Sequence, residues 1–306
     1  MQTIPIIAGP TASGKTALAL GLTGRIGPLE VISADSRQVY RRLDIGTGKP
    51  TVAERARLPH HLIDIVEPDE TYSAGRFRAD AEAAIAGCLT RGVIPLVVGG
   101  TGFYLRALVE GLSPIPPVPR DVSEEVRREL AAEGLAALYR RLLEVDPTAA
   151  AGIGENDPQR TLRALAVWRA TGRPLSAWWP EPGAPPAYAY SWVGLAWPRQ
   201  ELRARIAART DAMIAAGLER EVRGLIAAGY SWDDNATRTV GYREWRPYLD
   251  GQASLDDVRR AIVVATGRYA KRQMTWFNAV PAVHWLPGNG PDLLHVAFGW
   301  LELLLH

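Results

Sequence analysis

Gly9-Pro10-Thr11-Ala12-Ser13-Gly14-Lys15-Thr16 fits the pattern G-x-x-x-x-G-K-[ST] without a mismatch. The apolar run Ile4–Ala8 precedes it and a helical apolar run, Ala17–Leu22, follows it. Strand, loop and helix therefore stand in the order that a phosphate-binding loop needs. In such a loop the backbone N–H groups converge on phosphate oxygens and the lysine adds a point charge. The last hydroxyl, here Thr16, reaches Mg²⁺, and the following helix adds its N-terminal dipole. A plain glycine turn would account for neither Lys15 nor Thr16. The stretch predicts binding of a di- or triphosphate.

Outward from this loop the first third alternates between strand and helix patterns. Strands are expected at Ile4–Ala8, Leu29–Ser33, Leu62–Val66 and Ile94–Val98, with helices near Lys15–Gly24 and Arg76–Arg91. The pattern predicts an α/β fold, a doubly wound parallel sheet around the phosphate loop, with ligands at the carboxyl ends of the strands. The proline-dense run Ser113–Pro119 reads as a linker. From Val122 to Thr171 the pattern is wholly helical. Asp146-Pro147 and Asp157-Pro158 look like N-caps followed by proline, and Gly172 like a C-terminal stop. A second Pro/Gly stretch, Pro180–Pro186, closes the segment. The expected organisation is a core of residues 1–112 and 187–306 with a helical insertion, 113–186; one continuous domain is the alternative. Beyond it, Trp192–Trp197 reads as a strand, and Arg199–Ala216, Leu218–Ala228 and Leu255–Asn278 as helices. Ser254 and Asp257 stand near capping-box spacing, and Val283–Trp285 reads as a last strand before a terminal helix.

An apolar fraction of 47% and a charged fraction of 22% are ordinary for a soluble globular chain. The single cysteine, Cys88, excludes an internal disulfide framework or a cysteine-only zinc site and suits a reducing cytoplasm. No signal peptide or membrane-length apolar run is visible. A net charge of only +2 does not announce a nucleic-acid binder. Lysine occurs only at Lys15, Lys49 and Lys271, so each of these is a candidate for a chemical role.

Ser33-Ala34-Asp35-Ser36-Arg37-Gln38-Val39-Tyr40 follows the second strand, which puts Asp35 near the phosphate loop. Its carboxylate can be a Mg²⁺ ligand, a general base or a cap for the next turn. After the fourth strand, Gly99-Gly100-Thr101-Gly102 stands where many phosphate-loop nucleotidases carry an aspartate. That absence, with the lack of Asn-Lys-x-Asp, weighs against a GTPase or ATPase. Arg160 and Arg163 share one helical face, as do Arg205 and Arg209 with Met213, and Arg268 with Arg272. Arg238-Thr239-Val240-Gly241-Tyr242-Arg243 surrounds a turn with basic and aromatic groups, the kind used in phosphate contact and base stacking.

In matching order, residues 9–16, Asp35–Tyr40, Asp44–Pro50, Gly99–Leu105, Asn156–Leu165, Val240–Arg243 and Tyr269–Phe277 resemble the tRNA dimethylallyltransferases. Two departures, Gly48 where alanine is commoner and a long Pro114–Pro119 linker, are not expected to touch the chemistry. The zinc-finger extension of eukaryotic members is absent, so the likeness is to bacterial-type enzymes. The resemblance implies transfer of a five-carbon isoprenoid from dimethylallyl diphosphate to N6 of the adenosine just 3′ of the tRNA anticodon. Diphosphate leaves, with Mg²⁺ as cofactor. It implies that Asp35 takes the N6 proton, that Thr11 meets the bridging oxygen, that Arg209 stabilises the leaving group and that Thr101 lines the acceptor side. Gly9–Thr16 would hold the diphosphate. Asp35, Ser36, Arg37, Gln38, Thr101, Arg127, Gln159, Arg160, Thr161, Leu162, Arg163 and Arg238–Arg243 would hold the anticodon stem-loop. A monomer in the cytoplasm, with no membrane partner, suffices. The competing readings are a small-molecule P-loop kinase, an isopentenyltransferase acting on free adenine nucleotide, and a non-catalytic RNA-binding module. The first would need an arginine lid, the second no arginines on the insertion, and the third no intact Lys15, Thr16 and Asp35.

Overall fold

The computed structural model describes residues 2–181 and 183–305. It divides into two compact units, residues 1–109 with 186–306, and residues 110–185.

In the first unit β1 (Thr3–Ala8) leads through the phosphate loop into α1 (Lys15–Leu22). Then follow β2 (Leu29–Ala34), α2 (Val52–Arg57), β3 (His60–His61), α3 (Ala74–Thr90), β4 (Ile94–Gly99) and α4 (Gly102–Val109). The second unit holds α5 (Arg120–Glu133), α6 (Leu135–Val145), α7 (Pro147–Gly152) and α8 (Pro158–Thr171). The chain returns through β5 (Ala189–Ala196), α9 (Arg199–Ala215), α10 (Leu218–Ala227), α11 (Arg246–Leu249), α12 (Leu255–Asn278), β6 (Val283–Pro287) and α13 (Leu293–Leu305).

All strands run parallel in the order β3-β2-β4-β1-β5-β6. The central position of β1 explains its unbroken apolar run, since both of its faces are covered. Ile7, Leu96, Val98, Val193 and Leu195 pack there with Leu18 and Leu22 of α1 and Leu301 of α13. Parallel order brings the ends of β1, β2 and β4 to one edge, where the loops after them meet.

One strand differs from expectation. Pairing with β2 stops at His61, and Leu62–Val66 is not a strand. Leu62 and Asp64 take positive φ values of 62° and 58°, which turns the chain off the sheet edge. Only an isolated bridge, Tyr40 to Val66, remains. Burial of Lys49 explains the detour. Its ammonium donates to Tyr40 O at 2.6 Å, Asp44 Oδ1 at 2.8 Å and the Asp64 carboxylate, so this lysine is a structural tie.

The second unit has its own core of Val126, Leu138, Leu142, Ala150 and Leu165. Asp146 caps α7 through Ala149 N at 3.0 Å and also accepts from Ser176 N and Oγ, so its buried carboxylate is satisfied. Asp157 caps α8, and Gly172 ends it with φ 68°. Among the described residues no helix is long and apolar enough to cross a membrane.

Candidate active site

The phosphate loop is shaped by three residues with positive φ: Gly9 at 147°, Ala12 at 62° and Gly14 at 93°. Alternation of this kind turns successive N–H groups inward to form an anion nest. An alanine in the left-handed region is strained, and such strain collects at ligand sites. The loop is braced from behind. Trp197 Nε1 donates to Ser13 O at 2.9 Å, and Arg205 Nε donates to Ala12 O at 2.8 Å while its guanidinium lies over the Trp197 ring at 4.1 Å. From α12, Gln273 accepts from Thr11 N at 2.9 Å and donates to Gly100 O at 2.8 Å. One buried amide thus ties the loop after β1 to the loop after β4.

Lys15 Nζ donates to Gly9 O at 3.0 Å and Pro10 O at 2.8 Å. Burial pushes this ammonium down to about 8, with Asp35 opposing that shift and Arg209 adding to it. Burial also lowers the Arg209 guanidinium, again with Asp35 opposing. Ser13 Oγ is buried without a partner among the described residues. An orphaned hydroxyl inside an anion nest fits a phosphate oxygen. Thr16 and Asp35 offer the hard oxygen donors that suit Mg²⁺.

Asp35 fills one of its three expected roles and stands where either of the others could be played. Its Oδ1 accepts from Arg37 N at 2.8 Å and Gln38 N at 3.3 Å, which is the capping role. Its charge also acts on Lys15, Arg209 and Tyr269, so the carboxylate stands within the site. Thr101 Oγ1 accepts from Ser36 N at 3.0 Å and donates to Ser36 Oγ at 3.4 Å, joining the acceptor-side loops. Burial, then Asp35, raises the Tyr269 phenol to about 12, so it stays neutral beside that carboxylate.

Gln38 is engaged inside the protein, accepting from Ser33 Oγ at 3.2 Å and donating to Gly48 O at 3.3 Å. Arg37 donates to Asn235 O at 3.0 Å. Arg209 donates to Thr47 O at 3.2 Å. Gly48 lies directly beneath that guanidinium: φ is 60°, and a Cβ there would stand 2.1 Å from Arg209 Nη2. The departure at Gly48 therefore lies against Arg209, and an alanine there would require that guanidinium to shift.

The 238–243 segment divides. Arg238 and Arg243 are exposed, with Arg243 paired to Glu244 at 2.8 Å. Tyr242 is fully buried, so its ring is no stacking platform. Thr239 is buried as well, donating to Asn235 O at 3.3 Å. Val240 is half-buried and Gly241 N donates to Glu244 at 2.7 Å. In the helical unit, Arg127, Gln159, Arg160 and Arg163 are exposed. Thr161 is fully buried and Leu162 packs on the core, so these two side chains hold the unit together instead of facing solvent. They lie on the inward face of α8 because they flank the core positions Ala164 and Leu165 by helical spacing.

Glu221 was not expected in the site. Its Oε2 accepts from Asp44 N at 2.9 Å and Ile45 N at 2.8 Å, and its Oε1 from Gly46 N at 3.0 Å. Nothing local on α10 distinguishes it from a surface glutamate. Trp197 and Gln273 were similarly hidden, although Gln273 lies within a motif block.

Comparison with known proteins bears on the same residues. The family model described as IPP transferase matches residues 38–280. The chain belongs to the IPP transferase family. Among relatives in that family, a tRNA dimethylallyltransferase of Roseiflexus castenholzii is 48% identical over 298 residues, covering 96% of each chain. One of Thermus thermophilus is 47% identical over 306 residues, covering 99% of each. Two solved structures share the fold. A tRNA isopentenylpyrophosphate transferase from Bacillus halodurans superposes with a TM-score of 0.73 at 34% identity, over 100% of this chain and 97% of that one. A eukaryotic dimethylallyltransferase acting on tRNA does so with a TM-score of 0.83 at 26% identity, over 99% of this chain and 78% of that one. The phosphate loop and Asp35 precede the stretch matched by the family model, but the full-length relatives span them.

Proposed function

We propose that the chain transfers the dimethylallyl group of dimethylallyl diphosphate to N6 of the adenosine just 3′ of the anticodon of tRNA, releasing diphosphate. The observation that carries this reading is the position of Asp35. Its charge acts on both Lys15 and Arg209 at the phosphate loop, while β4 ends in Gly-Gly-Thr-Gly with no carboxylate for phosphoryl transfer. Membership of the IPP transferase family supports the same reading.

An adenine amino group is a weak nucleophile because its lone pair is delocalised into the ring. The lone pair of N6 attacks the allylic carbon as the carbon–oxygen bond breaks, and the bonding electrons leave with the diphosphate. Lys15, Arg209 and the loop amides meet the negative charge that develops there. Thr11 donates to the bridging oxygen, and Asp35 takes the N6 proton. Thr101, held by Ser36, lines the acceptor side. Thr16 would hold a Mg²⁺ ion, which would supply further positive charge to the departing diphosphate. The adenosine must leave the base stack to be reached, at a cost of about a few kcal/mol. Arg127, Gln159, Arg160, Arg163, Arg238 and Arg243 are the exposed groups available to grip the anticodon stem-loop. A monomer acting in the cytoplasm is sufficient for this reaction.

The test is incubation of the purified chain with radiolabelled dimethylallyl diphosphate and an anticodon stem-loop. Label should enter the RNA. Label transfer to free AMP alone, or ATP-dependent phosphorylation without label transfer, would reject the reading.

A further inference from the structure

Three side chains from three elements meet far from the phosphate loop. Glu30 lies near the start of β2, His61 ends β3 and Cys88 sits in the last turns of α3. Ile32 pairs with His61 in the sheet, and Glu30 shares the face of Ile32 by strand alternation, so Glu30 and His61 project to the same side. Glu30 Oε2 lies 2.6 Å from His61 Nε2 and 3.3 Å from Cys88 Sγ, and Cys88 Sγ lies 3.7 Å from His61 Nε2. Arg91 Nη2 bonds the same carboxylate oxygen. Among the described residues, no other set of three histidine, cysteine or acidic side chains brings its ligand atoms so close together.

We propose that Glu30 Oε2, His61 Nε2 and Cys88 Sγ form a binding site for one thiophilic divalent cation, and that zinc is the ion their chemistry selects. Zinc bonds of about 2.0–2.1 Å to oxygen and nitrogen and about 2.3 Å to sulfur give tetrahedral edges of roughly 3.3–3.6 Å. Both edges at sulfur already lie close to that range. The oxygen–nitrogen edge is shorter because a shared proton holds it. An ion would lengthen that edge by roughly 0.7 Å.

Ligation requires loss of the thiol proton to solvent and the ring proton of His61 on Nδ1. Thiolate and carboxylate then supply two negative charges against the two positive charges of the ion. Arg91 is half exposed, so its guanidinium can release Oε2 to the ion and turn to water. A mixed sulfur, nitrogen and oxygen set disfavours Mg²⁺ and Ca²⁺. Three ligands leave the fourth position to water. Glu30 and Asp35 are separated along β2 by a rise of roughly 16 Å. The ion would therefore clasp β2, β3 and α3 without entering prenyl transfer.

The experiment uses the full chain, stripped with EDTA and titrated with Co²⁺. One equivalent should bind, with tetrahedral d–d bands and a thiolate-to-cobalt charge-transfer band. Zn²⁺ should bleach both, excess Mg²⁺ should not, and Zn²⁺ should raise the Tm. Cys88→Ser should lose the charge-transfer band and the Zn²⁺-dependent rise in Tm while keeping the parent's circular dichroism and prenyl-transfer rate. His61→Ala should keep the thiolate band but weaken Co²⁺ binding by about tenfold or more. No charge-transfer band in the parent, or one that survives in Cys88→Ser, would overturn the proposal. So would unchanged Co²⁺ affinity in His61→Ala.

Discussion

The Tyr242 hydroxyl donates to Glu221 Oε1 at 2.6 Å, and the same carboxylate holds the N–H groups of residues 44–46. Burial, then the Glu221 charge, keeps the Tyr242 phenol well above its ordinary pKa, so it remains a donor. The loop held in this way carries Thr47 O, which receives Arg209, and Gly48 O, which receives Gln38. Glu221 therefore holds the loop on which Arg209 and Gln38 rest.

Glu221→Ala leaves those donors without their acceptor and should cost about 1–3 kcal/mol of stability. Glu221→Gln keeps one carbonyl oxygen and should lose less. Chemical denaturation would rank the pair. If the loop also positions Arg209, kcat should fall in both variants while tRNA affinity holds; unchanged kcat would reduce Glu221 to a purely structural tie.

Asp35→Ala should lower turnover by about 10²–10⁴-fold, the usual worth of a general base. Affinity for dimethylallyl diphosphate should change little, as equilibrium binding would report. A comparable loss of binding would instead mark Asp35 as chiefly a Mg²⁺ ligand.

Lys15 should set the pH dependence of diphosphate binding. Its free-state pKa is about 8, and only the protonated form attracts the anion. Affinity should thus be flat near neutrality and fall above about 8, levelling off once the about 10–100-fold contribution of the charge is lost. Lys15→Ala should bind about 10–100-fold more weakly at neutral pH and lack this inflection. Calorimetric titration across the range would show a persistent inflection if another group were responsible.

Arg160 is mostly exposed, paired only loosely with Asp157 at 3.5 Å, and Arg163 on the same helix face is exposed as well. Replacing both with alanine should weaken tRNA binding and reduce the slope of log K against log salt by roughly 0.7–0.9 per lost phosphate contact. Diphosphate affinity should be unaffected. A double variant with the parent's affinity and salt slope would remove these arginines from the RNA surface.

The parts legible in advance were those with a local signature. Residues 9–16 carry loop, charge and hydroxyl in one stretch, and their flanks alternate as β1 and α1 do. Caps were equally plain: Asp146 and Asp157 each bond an N–H three residues on, and Ser254 and Asp257 form a full capping box. Backbone donors at a helix start are satisfied by neighbours in sequence, so spacing alone reveals them.

Tertiary structure alone decided which polar groups work at a distance. Gln273 meets Thr11 across 262 positions, and Glu221 meets Asp44 across 177, with no periodicity to announce either. It also decided that Tyr242 and Thr161 are buried while Arg160 and Arg163 are exposed, and that Leu62–Val66 leaves the sheet to bring Asp64 to Lys49. Sequence determines the donors, acceptors and apolar faces a segment offers. Which partners satisfy them depends on what packs against that segment, because leaving a buried polar group unpaired is costly and so is rare.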